Sequence, residues 1–294
     1  MIVLEYINTI SNATGSDKEG DKIVSTPIEA LVLLHQLIEE TKQNTVKESE
    51  LKKWDFATSP HVHFNKTLDD TFMAFIMWAR VKDDESSMIN VSKAFRRLET
   101  YANWMHNSSI DLVDPLTPAS IQKGLEQWCM NSSYDKDGRF LWWCDMSRID
   151  MPYMKKELTP EESLRAFVWY AHAVMYDEKA QKNGLVFIYN VNRIGMIATF
   201  TLTPAKFAAK LDCLTIGVLP IKMKGIYMLD SPTWLRLFMG LMSIFMSKKM
   251  KERIVNVKEW KTIEETFGAE TIPKMFGKLE GKLQEDVLEK EYFS

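Results

Sequence analysis

Apolar residues recur at helical spacing through the first hundred residues of the chain. The first stripe follows Thr26 and Pro27, and Glu29 is placed to close a capping box with Thr26. Its members are Ile28, Leu31, Leu34 and Ile38. Further helices are predicted over 69–80 and 86–106. The stripe of the last one steps by three or four residues and comprises Met88, Val91, Phe95, Leu98, Ala102 and Met105. No strand pattern interrupts this region, so it predicts a small helical bundle.

From residue 107 onward, short apolar runs alternate with longer helical patterns. Strands are predicted at Arg139–Met146, Leu185–Val191, Ile221–Leu229 and Arg253–Val257. Helices are predicted at 118–130, 160–182, 204–215, 232–246 and 258–267, and three of them open with Thr-Pro. Strands that alternate with helices predict an α/β fold, with a mainly parallel sheet covered by helices.

The composition of successive segments suggests four regions. Residues 1–25 form a flexible N-terminus, rich in Ser, Asn, Gly, Asp and Lys over its second half. The helical bundle spans 26–106 and the α/β domain spans 107–278. An acidic tail follows over 279–294.

Bulk composition excludes several classes of protein. The chain has 294 residues, is 46% hydrophobic and carries a formal net charge of −3, so we expect no nucleic-acid partner. Cys129, Cys144 and Cys213 have no CxxC spacing and are expected to be reduced, buried thiols. No basic region precedes the apolar first ten residues, and the longest apolar run, Trp234–Met246, is too short to span a bilayer. We therefore expect a cytoplasmic protein.

Signatures of catalysis are missing from the sequence. It lacks GxGxxG after a strand, GxxxxGK[ST] and GxSxG. His61 and His63 have no partners at metal-ligand spacing. Asp145, Asp150 and Asp230 lie near strand ends, where caps and turns also place carboxylates. We expect no enzyme, no bound metal and no cofactor.

The stretch 219–257 is the most informative part of the chain. A predicted strand ends in Asp230-Ser231-Pro232, and an apolar helix and then a basic cluster follow. One face of that helix carries Leu235, Phe238, Met242 and Phe245, and a second carries Trp234, Leu237, Leu241 and Ile244. The basic cluster is Lys248, Lys249, Lys251 and Arg253. Such a helix is either a core helix or one that faces something apolar beyond the protein. The adjoining cations favour docking to a membrane.

Several segments resemble the CRAL-TRIO family of lipid-binding proteins. They are LDDTFMAFIMWAR, DGRFLWWCDMSRID, KNGLVFIYNVNRIG, LPIKMKGIYMLDSP, SKKMKERI and TIPKMFG, and they span about 68–277. Within the family, the motifs are most similar to the branch of the alpha-tocopherol transfer protein and the cellular retinaldehyde-binding protein. The resemblance implies a helical bundle followed by a lipid-binding domain, whose sheet floors an apolar cavity and whose helix 232–246 acts as a gate.

A pocket for one hydrophobic small molecule or lipid is implied by this resemblance. Strand parity places Leu185, Phe187 and Tyr189 on one face of the sheet. Trp143 and Ile226 match cavity-facing strand positions of the family. The covering helices contribute Leu164, Phe167, Ala171, Leu235, Phe238, Met242 and Phe245. Ordinary core packing is the competing interpretation for each of these residues.

A basic patch for phosphoinositide headgroups is also implied by the resemblance. Its residues are Arg80, Lys222, Lys249 and Arg253, and Lys224 and Lys248 would extend it. The patch should prefer phosphatidylinositol bisphosphates, because several cations can hold a concentrated charge. We expect a monomer that associates transiently with organelle or vesicle membranes.

The sequence departs from the family pattern at informative positions. Ile221 replaces the Glu of the branch that transfers phosphatidylinositol and phosphatidylcholine, which argues against that exchange. Phe167 and Ala171 replace small polar pocket residues of the tocopherol branch, and Ile244 replaces a proline of the gate. The leading interpretation is a lipid carrier. The alternative is a lipid sensor or adaptor that recruits partners to vesicles without transferring its ligand.

Overall fold

A computed structural model describes residues 20–55, 64–81, 88–108, 112, 116–192, 194–197, 213–243, 248–273 and 287–292. Its contacts divide the chain into two compact units. The first unit comprises residues 1–116, 168–182 and 208–221. The second comprises residues 117–167, 183–207 and 222–294.

The first unit is mainly helical. Its elements in chain order are β1 (Ile23–Val24), α1 (Pro27–Asn44), α2 (Glu48–Leu51), a 3-10 turn (Lys52–Trp54), α3 (Leu68–Trp78), β2 (Ile89–Asn90) and α4 (Val91–Ser108). The second half of α7 (Pro160–Tyr176), most of α8 (Glu178–Asn183) and a π-helical segment (Cys213–Val218) also belong to it. The predicted capping box is confirmed, because Thr26 accepts from the amide of Glu29 and Glu29 accepts from that of Thr26.

Two buried polar side chains fix the packing of this unit. Arg97 donates from Nε (3.2 Å) and Nη2 (2.7 Å) to the carbonyl of Leu219, and its guanidinium lies 4.8 Å from the ring centre of Trp78. Burial lowers the pKa of Arg97 to about 9, so this arginine remains charged at neutral pH. The charged donor satisfies a carbonyl just beyond the π-helical segment and attaches that segment to α4.

The second buried group is His172 on α7. Its Nδ1 lies 2.7 Å from the carbonyl of Val168, and its Nε2 lies 3.3 Å from the hydroxyl of Tyr101. A carbonyl can only accept, so Nδ1 carries the proton and Nε2 accepts from Tyr101. Burial lowers the pKa of His172 to about 4, so the imidazole is neutral in the folded protein.

The second unit contains a five-stranded sheet with the order β3 (Met130–Tyr134), β4 (Phe140–Asp145), β5 (Leu185–Asn190), β6 (Met223–Leu229) and β7 (Ile254–Val257). Its helices are α5 (Pro118–Trp128), α6 (Met151–Glu157), the first half of α7, α9 (Thr233–Met242), α10 (Lys248–Arg253), α11 (Trp260–Phe267) and α12 (Val287–Tyr292). Short 3-10 turns lie at Met146–Arg148 and Ala269–Thr271. The pairing of β3 with β4 is antiparallel and the other three pairings are parallel. The predicted α/β fold with a mainly parallel sheet is confirmed.

The register of the strands assigns each side chain to one of two sheet faces. Trp142 pairs with Phe187, and Phe187 pairs with Ile226, so these three side chains share a face that we call the α9 face. Trp143 pairs with Ile188 and therefore lies on the opposite face, which we call the α11 face. The names refer to the helix that covers each face.

Several predicted elements need correction. The region before residue 107 contains two short strands, β1 and β2, so the predicted third helix begins at Val91 rather than 86. The helix predicted over 160–182 is two helices, because Asp177 interrupts it and accepts from the amide of Ala180. Strand β3 was not predicted, because its sequence MNSSY lacks an apolar run. The helix predicted over 204–215 lies mostly outside the described residues.

The buried histidine predicts how stability depends on pH. The folded pKa of about 4 lies below the usual value near 6.5, so the unfolded chain binds the proton more readily. The stability is fully present above pH 6.5 and is lost as the pH falls toward 4. Urea unfolding should show a free energy about 2 kcal/mol lower at pH 5 than at pH 7. In His172→Gln this difference should shrink; an unchanged difference would contradict the assignment.

Candidate functional site

The α9 face of the sheet carries a row of aromatic and aliphatic side chains. The ring centres of Trp142 and Phe187 are 5.0 Å apart, and those of Phe187 and Tyr189 are stacked at 5.7 Å. Ile226 and Met228 extend the row onto β6. Four of the predicted pocket residues, Leu185, Phe187, Tyr189 and Ile226, therefore lie on one face, and strand parity predicts this for the three of β5.

Helix α9 covers the β6 and β7 end of this face. Trp234, Leu235 and Met239 pack toward Met228 and its neighbours, and all three remain partly exposed. The indole nitrogen of Trp234 donates to the carbonyl of Ile194 at 2.9 Å, which ties the start of the helix to the segment after β5. The outer side of the helix is also apolar, because Leu237 is 67% exposed and Phe238 is 38% exposed.

The predicted division of this helix into two faces is partly wrong. Trp234 was assigned to the outer face, but it packs inward. Phe238, which is predicted for the pocket face, is 38% exposed. The side chains of Leu241, Met242 and Phe245 lie outside the described residues.

Trp143 is not brought together with the other predicted pocket residues. It lies on the α11 face, fully buried in a cluster with Ile188, Ile263 and Phe267. Its indole nitrogen donates to the hydroxyl of Ser133 at 2.8 Å. The neighbouring Trp142 occupies the α9 face instead. The sequence holds two adjacent tryptophans, and only the strand register decides which of them points to which face.

The predicted residues of α7 are divided between the two units. Leu164 and Phe167 belong to the second unit, and Ala171 belongs to the first. Phe167 lies over the α9 face, with its ring centre 6.1 Å from Trp142 and 4.6 Å from Trp128. Leu164 and Ala171 are both fully buried.

Three basic residues lie at the amino-terminal edge of the sheet. Lys222 and Lys224 flank the first residue of β6, and Arg253 immediately precedes β7, which pairs with β6 in parallel. Gly184 packs closely against the two lysines: a Cβ at this position would lie 2.5 Å from the carbonyl oxygen of Lys222 and 2.7 Å from Cε of Lys224. Half-burial lowers the pKa of Arg253, and the side chain stays cationic at neutral pH.

The remaining residues predicted for the headgroup patch are Lys248, Lys249 and Arg80. Lys248 is exposed on α10, and the side chain of Lys249 lies outside the described residues. Arg80 belongs to the first unit, where its backbone forms a bridge with Ile89. Its Nε is buried and has no hydrogen-bond partner among the described residues. The joint patch of all four residues stays a prediction.

The carboxylates near the strand ends serve as caps and turns. Asp145 accepts from the amide and hydroxyl of Ser147 and from Asn190 Nδ2. Asp150 caps α6 by accepting from the amide of Tyr153. Asp230 adopts a left-handed turn conformation (φ 52°). In the described part of the chain, no group of three or more His, Cys, Asp or Glu side chains is placed to hold a metal ion.

The cysteines of this unit are free thiols of different exposure. Cys144 is buried, as predicted. Cys129 is half-buried and immediately precedes Met130, which pairs with Cys144. Burial raises the pKa of both thiols, so both remain protonated and weakly nucleophilic at neutral pH.

Sequence reasoning missed several residues of the α9 face. They are Trp142, Met228 and Met239, together with Leu288 on α12. Leu288 is buried, and its amide donates to the hydroxyl of Ser132, which shares the face of Trp142. Strand parity could have identified Met228, since it lies two residues after Ile226 on the same strand and therefore on the same face. No pattern in the sequence pointed to Leu288, because its partner strand β3 was itself not predicted.

The fold and this site define a mixed α/β protein in which an apolar face of the sheet is covered by a helix with apolar side chains on both sides. A family model described as the CRAL/TRIO domain matches residues 125–277, more than half of the chain. The chain therefore belongs to the CRAL/TRIO domain family, whose members bind and transfer lipids. Family membership confirms the resemblance seen in the sequence, but the narrower tocopherol and retinaldehyde branch is not supported.

The chain is also similar to a protein of known structure. The crystal structure of Sfh5 is similar at 10% sequence identity and a TM-score of 0.48, over 85% of this chain and 93% of that chain. Among the residues that the structure describes, no helix has the length and apolar character needed to cross a bilayer.

Proposed function

We propose that this protein carries one hydrophobic molecule on the α9 face of its sheet and exchanges it at membranes that contain phosphoinositides. The observation that carries the proposal is helix α9. Its inner side covers an apolar sheet face, its outer side exposes Leu237 and Phe238, and basic α10 follows a few residues later. A helix of this kind suits a cover that opens when its outer side enters a bilayer.

The two sheet faces differ in how firmly they are covered, which supports a removable cover. Helix α11 contributes Ile263 and Phe267, fully buried, to a cluster of nine buried residues. Among the residues that the structure describes, the cluster beneath α9 has three buried members, Val191, Ile194 and Met228, and every α9 residue that joins it is partly exposed. Because stabilisation scales with the apolar area removed from water, detaching α9 costs less than detaching α11.

Exposed apolar side chains near α9 support contact with a membrane. Met196 and Ile197 are exposed, and they follow Ile194, whose carbonyl accepts from Trp234. Together with Leu237 and Phe238 they give the unit apolar groups for insertion at the headgroup boundary. The second unit thus has apolar side chains for insertion on α9 and basic side chains on α10, which follows it.

The basic edge supports recognition of an anionic headgroup. Lys222, Lys224 and Arg253 lie at one edge because parallel strands begin at the same edge of a sheet. Lys248 and Lys251 on α10 add exposed positive charge. A bisphosphorylated inositol concentrates negative charge within reach of several such groups, and arginine can donate two bonds to one phosphate. We include Lys249 in the proposed patch, and Arg80, which belongs to the first unit, stays a prediction from the sequence.

The ligand itself is proposed only by class. The aromatic row of Trp142, Phe187 and Tyr189 suits a largely apolar molecule, in keeping with the tocopherol and retinaldehyde branch. Phe167, at a position where the tocopherol branch has a small polar residue, argues against tocopherol. We propose a cytoplasmic monomer without catalytic activity, since Asp145 and Asp150 are engaged as caps. A sensor or adaptor that keeps its ligand is the alternative.

Binding of a hydrophobic ligand is the first prediction of this proposal. Native mass spectrometry of the purified protein should show one bound hydrophobic molecule per chain. Ile226→Trp, on the α9 face, should reduce occupancy several-fold by filling the compartment. Val255→Trp is the matched control, because Val255 is equally half-buried but packs on the α11 face. Equal loss in both variants, or no ligand in the wild type, would refute the assignment.

The outer side of α9 gives the second prediction. Leu237→Asp should slow ligand transfer between vesicles about tenfold or more, because inserting one leucine contributes roughly 1.5–3 kcal/mol. Ligand affinity in solution should stay unchanged, since Leu237 does not pack on the sheet. Val46→Asp, at an exposed valine of the first unit, serves as control. If Leu237→Asp unfolds the protein or transfers normally, α9 is not a membrane-facing cover.

The basic edge gives the third prediction. Lys222→Ala with Arg253→Ala should weaken binding to liposomes containing phosphatidylinositol bisphosphate, because each cation contributes about 1 kcal/mol near an anionic surface. The loss should reach about thirtyfold at low salt and less at 0.15 M, where screening acts over about 8 Å. Hydrophobic-ligand occupancy should not change.

The control for this experiment removes the same charge elsewhere. Lys155 and Lys258 are exposed and follow the carboxyl ends of β4 and β7, away from the basic edge. Their double alanine variant should retain the preference for bisphosphate over phosphatidylserine at equal lipid charge. Equal losses in the two double variants would mean that the edge acts only through net charge.

A further inference from the structure

Helix α1 of the first unit is apolar on two sides, and only one of them is covered by the core. Ala30, Leu34 and Ile38 face the core and are buried. On the other side, Ile28 is 74% exposed and Val32 is 53% exposed. A surface helix normally carries polar residues on its outer side, so a second apolar side indicates a second partner.

These exposed side chains line a groove of about 670 Å³. Its apolar lining is Ile23, Val24, Ile28, Val32, Leu33 and Met88. Five of these residues come from β1 and the first two turns of α1, so the groove lies close in sequence to the first described residue, Gly20. The groove belongs to the first unit and shares no residue with the α9 face or the basic edge.

We propose that the first ten residues of the chain, MIVLEYINTI, pack into this groove. Seven of the ten are apolar, and Val3, Tyr6, Ile7 and Ile10 have the i, i+3, i+4, i+7 spacing of a segment that docks in an apolar groove as a helix. Glu5 is the single acidic residue of the segment. The composition of the segment therefore complements the lining of the groove.

The tether between segment and groove makes this contact favourable. About 13 residues separate Ile10 from Ile23, and a chain of that length spans on the order of 20 Å on average. A segment held at this distance has an effective concentration in the millimolar range. A weak intrinsic affinity is then sufficient for the segment to occupy the groove most of the time.

Other occupants match the groove less well. The segment 82–87 adjoins Met88, but its sequence KDDESS is polar and acidic. A second copy of the chain would need an interface of about 1,200–2,000 Å² in total, and six apolar residues are too few to supply it. The first ten residues combine apolar character with proximity.

A photo-crosslinking experiment on the full-length protein tests the proposal. Tyr6 is replaced with benzoylphenylalanine, and crosslinked peptides are mapped by mass spectrometry after irradiation. We expect crosslinks within one chain to peptides that contain residues 23–36. In Ile28→Lys with Val32→Lys these crosslinks should disappear, while Val46→Lys, at a 97% exposed valine outside the groove, should keep them.

Amide exchange of residues 2–10 gives an independent readout. Exchange should be at least about tenfold slower in the wild type and in Val46→Lys than in the double lysine variant. Ile28 and Val32 are exposed positions of a helix, so the double variant should retain its circular dichroism spectrum and melting temperature. Neither readout depends on lipid transfer, so the result stands apart from the proposed function.

Three outcomes would overturn the proposal. Equal exchange in all variants without intrachain crosslinks would mean that the segment does not occupy the groove. Crosslinks only between two chains would assign the groove to a second copy. Crosslinks only to lipid, appearing when phosphatidylcholine vesicles are added, would assign the segment to a membrane surface.

Discussion

A sheet of parallel strands carries apolar side chains on both faces, and each face needs a covering helix before the strands are stable in water. In this protein the two covers are unequal. The α11 face is closed by fully buried residues such as Ile263 and Phe267, and Trp143 is anchored there by a hydrogen bond to Ser133. The α9 face is closed by Trp234, Leu235 and Met239, which stay partly exposed. The firm side keeps the strands in register, and the other side is the one on which we propose that the ligand binds.

Parallel pairing also determines where charge gathers. Strands β6 and β7 begin at the same edge, so residues that precede them in distant parts of the sequence become neighbours. Lys222 and Arg253 lie there for this reason, and Gly184 packs closely against Lys224. The same pairing brings Asp145 and Asn190 together at the opposite edge, where they satisfy each other as hydrogen-bond partners. One edge thus carries basic side chains and the other carries a hydrogen-bonded pair of polar side chains.

The helical unit follows a related principle with different partners. Two of its buried polar groups link separate segments: Arg97 donates to the carbonyl of Leu219, and His172 accepts from the hydroxyl of Tyr101 on α4. Helix α1 and helix α9 are alike in one respect, since each has one apolar side packed and one exposed. An exposed apolar side on a helix is a cost in water unless something covers it, so both helices point to contacts beyond the described core.

Much of this protein was determined by local sequence alone. Helical periodicity and capping residues such as Thr26 and Glu29 act within a few positions, so the longer helices were predictable, as was the alternation of strands and helices that gives the fold. Strand parity likewise placed Phe187 and Tyr189 on one face. The choice between Trp142 and Trp143, the inward side of α9 and the contribution of Leu288 were decided by tertiary structure. Each depends on which strand lies beside which and in what register, and no short-range pattern in the sequence records those long-range pairings.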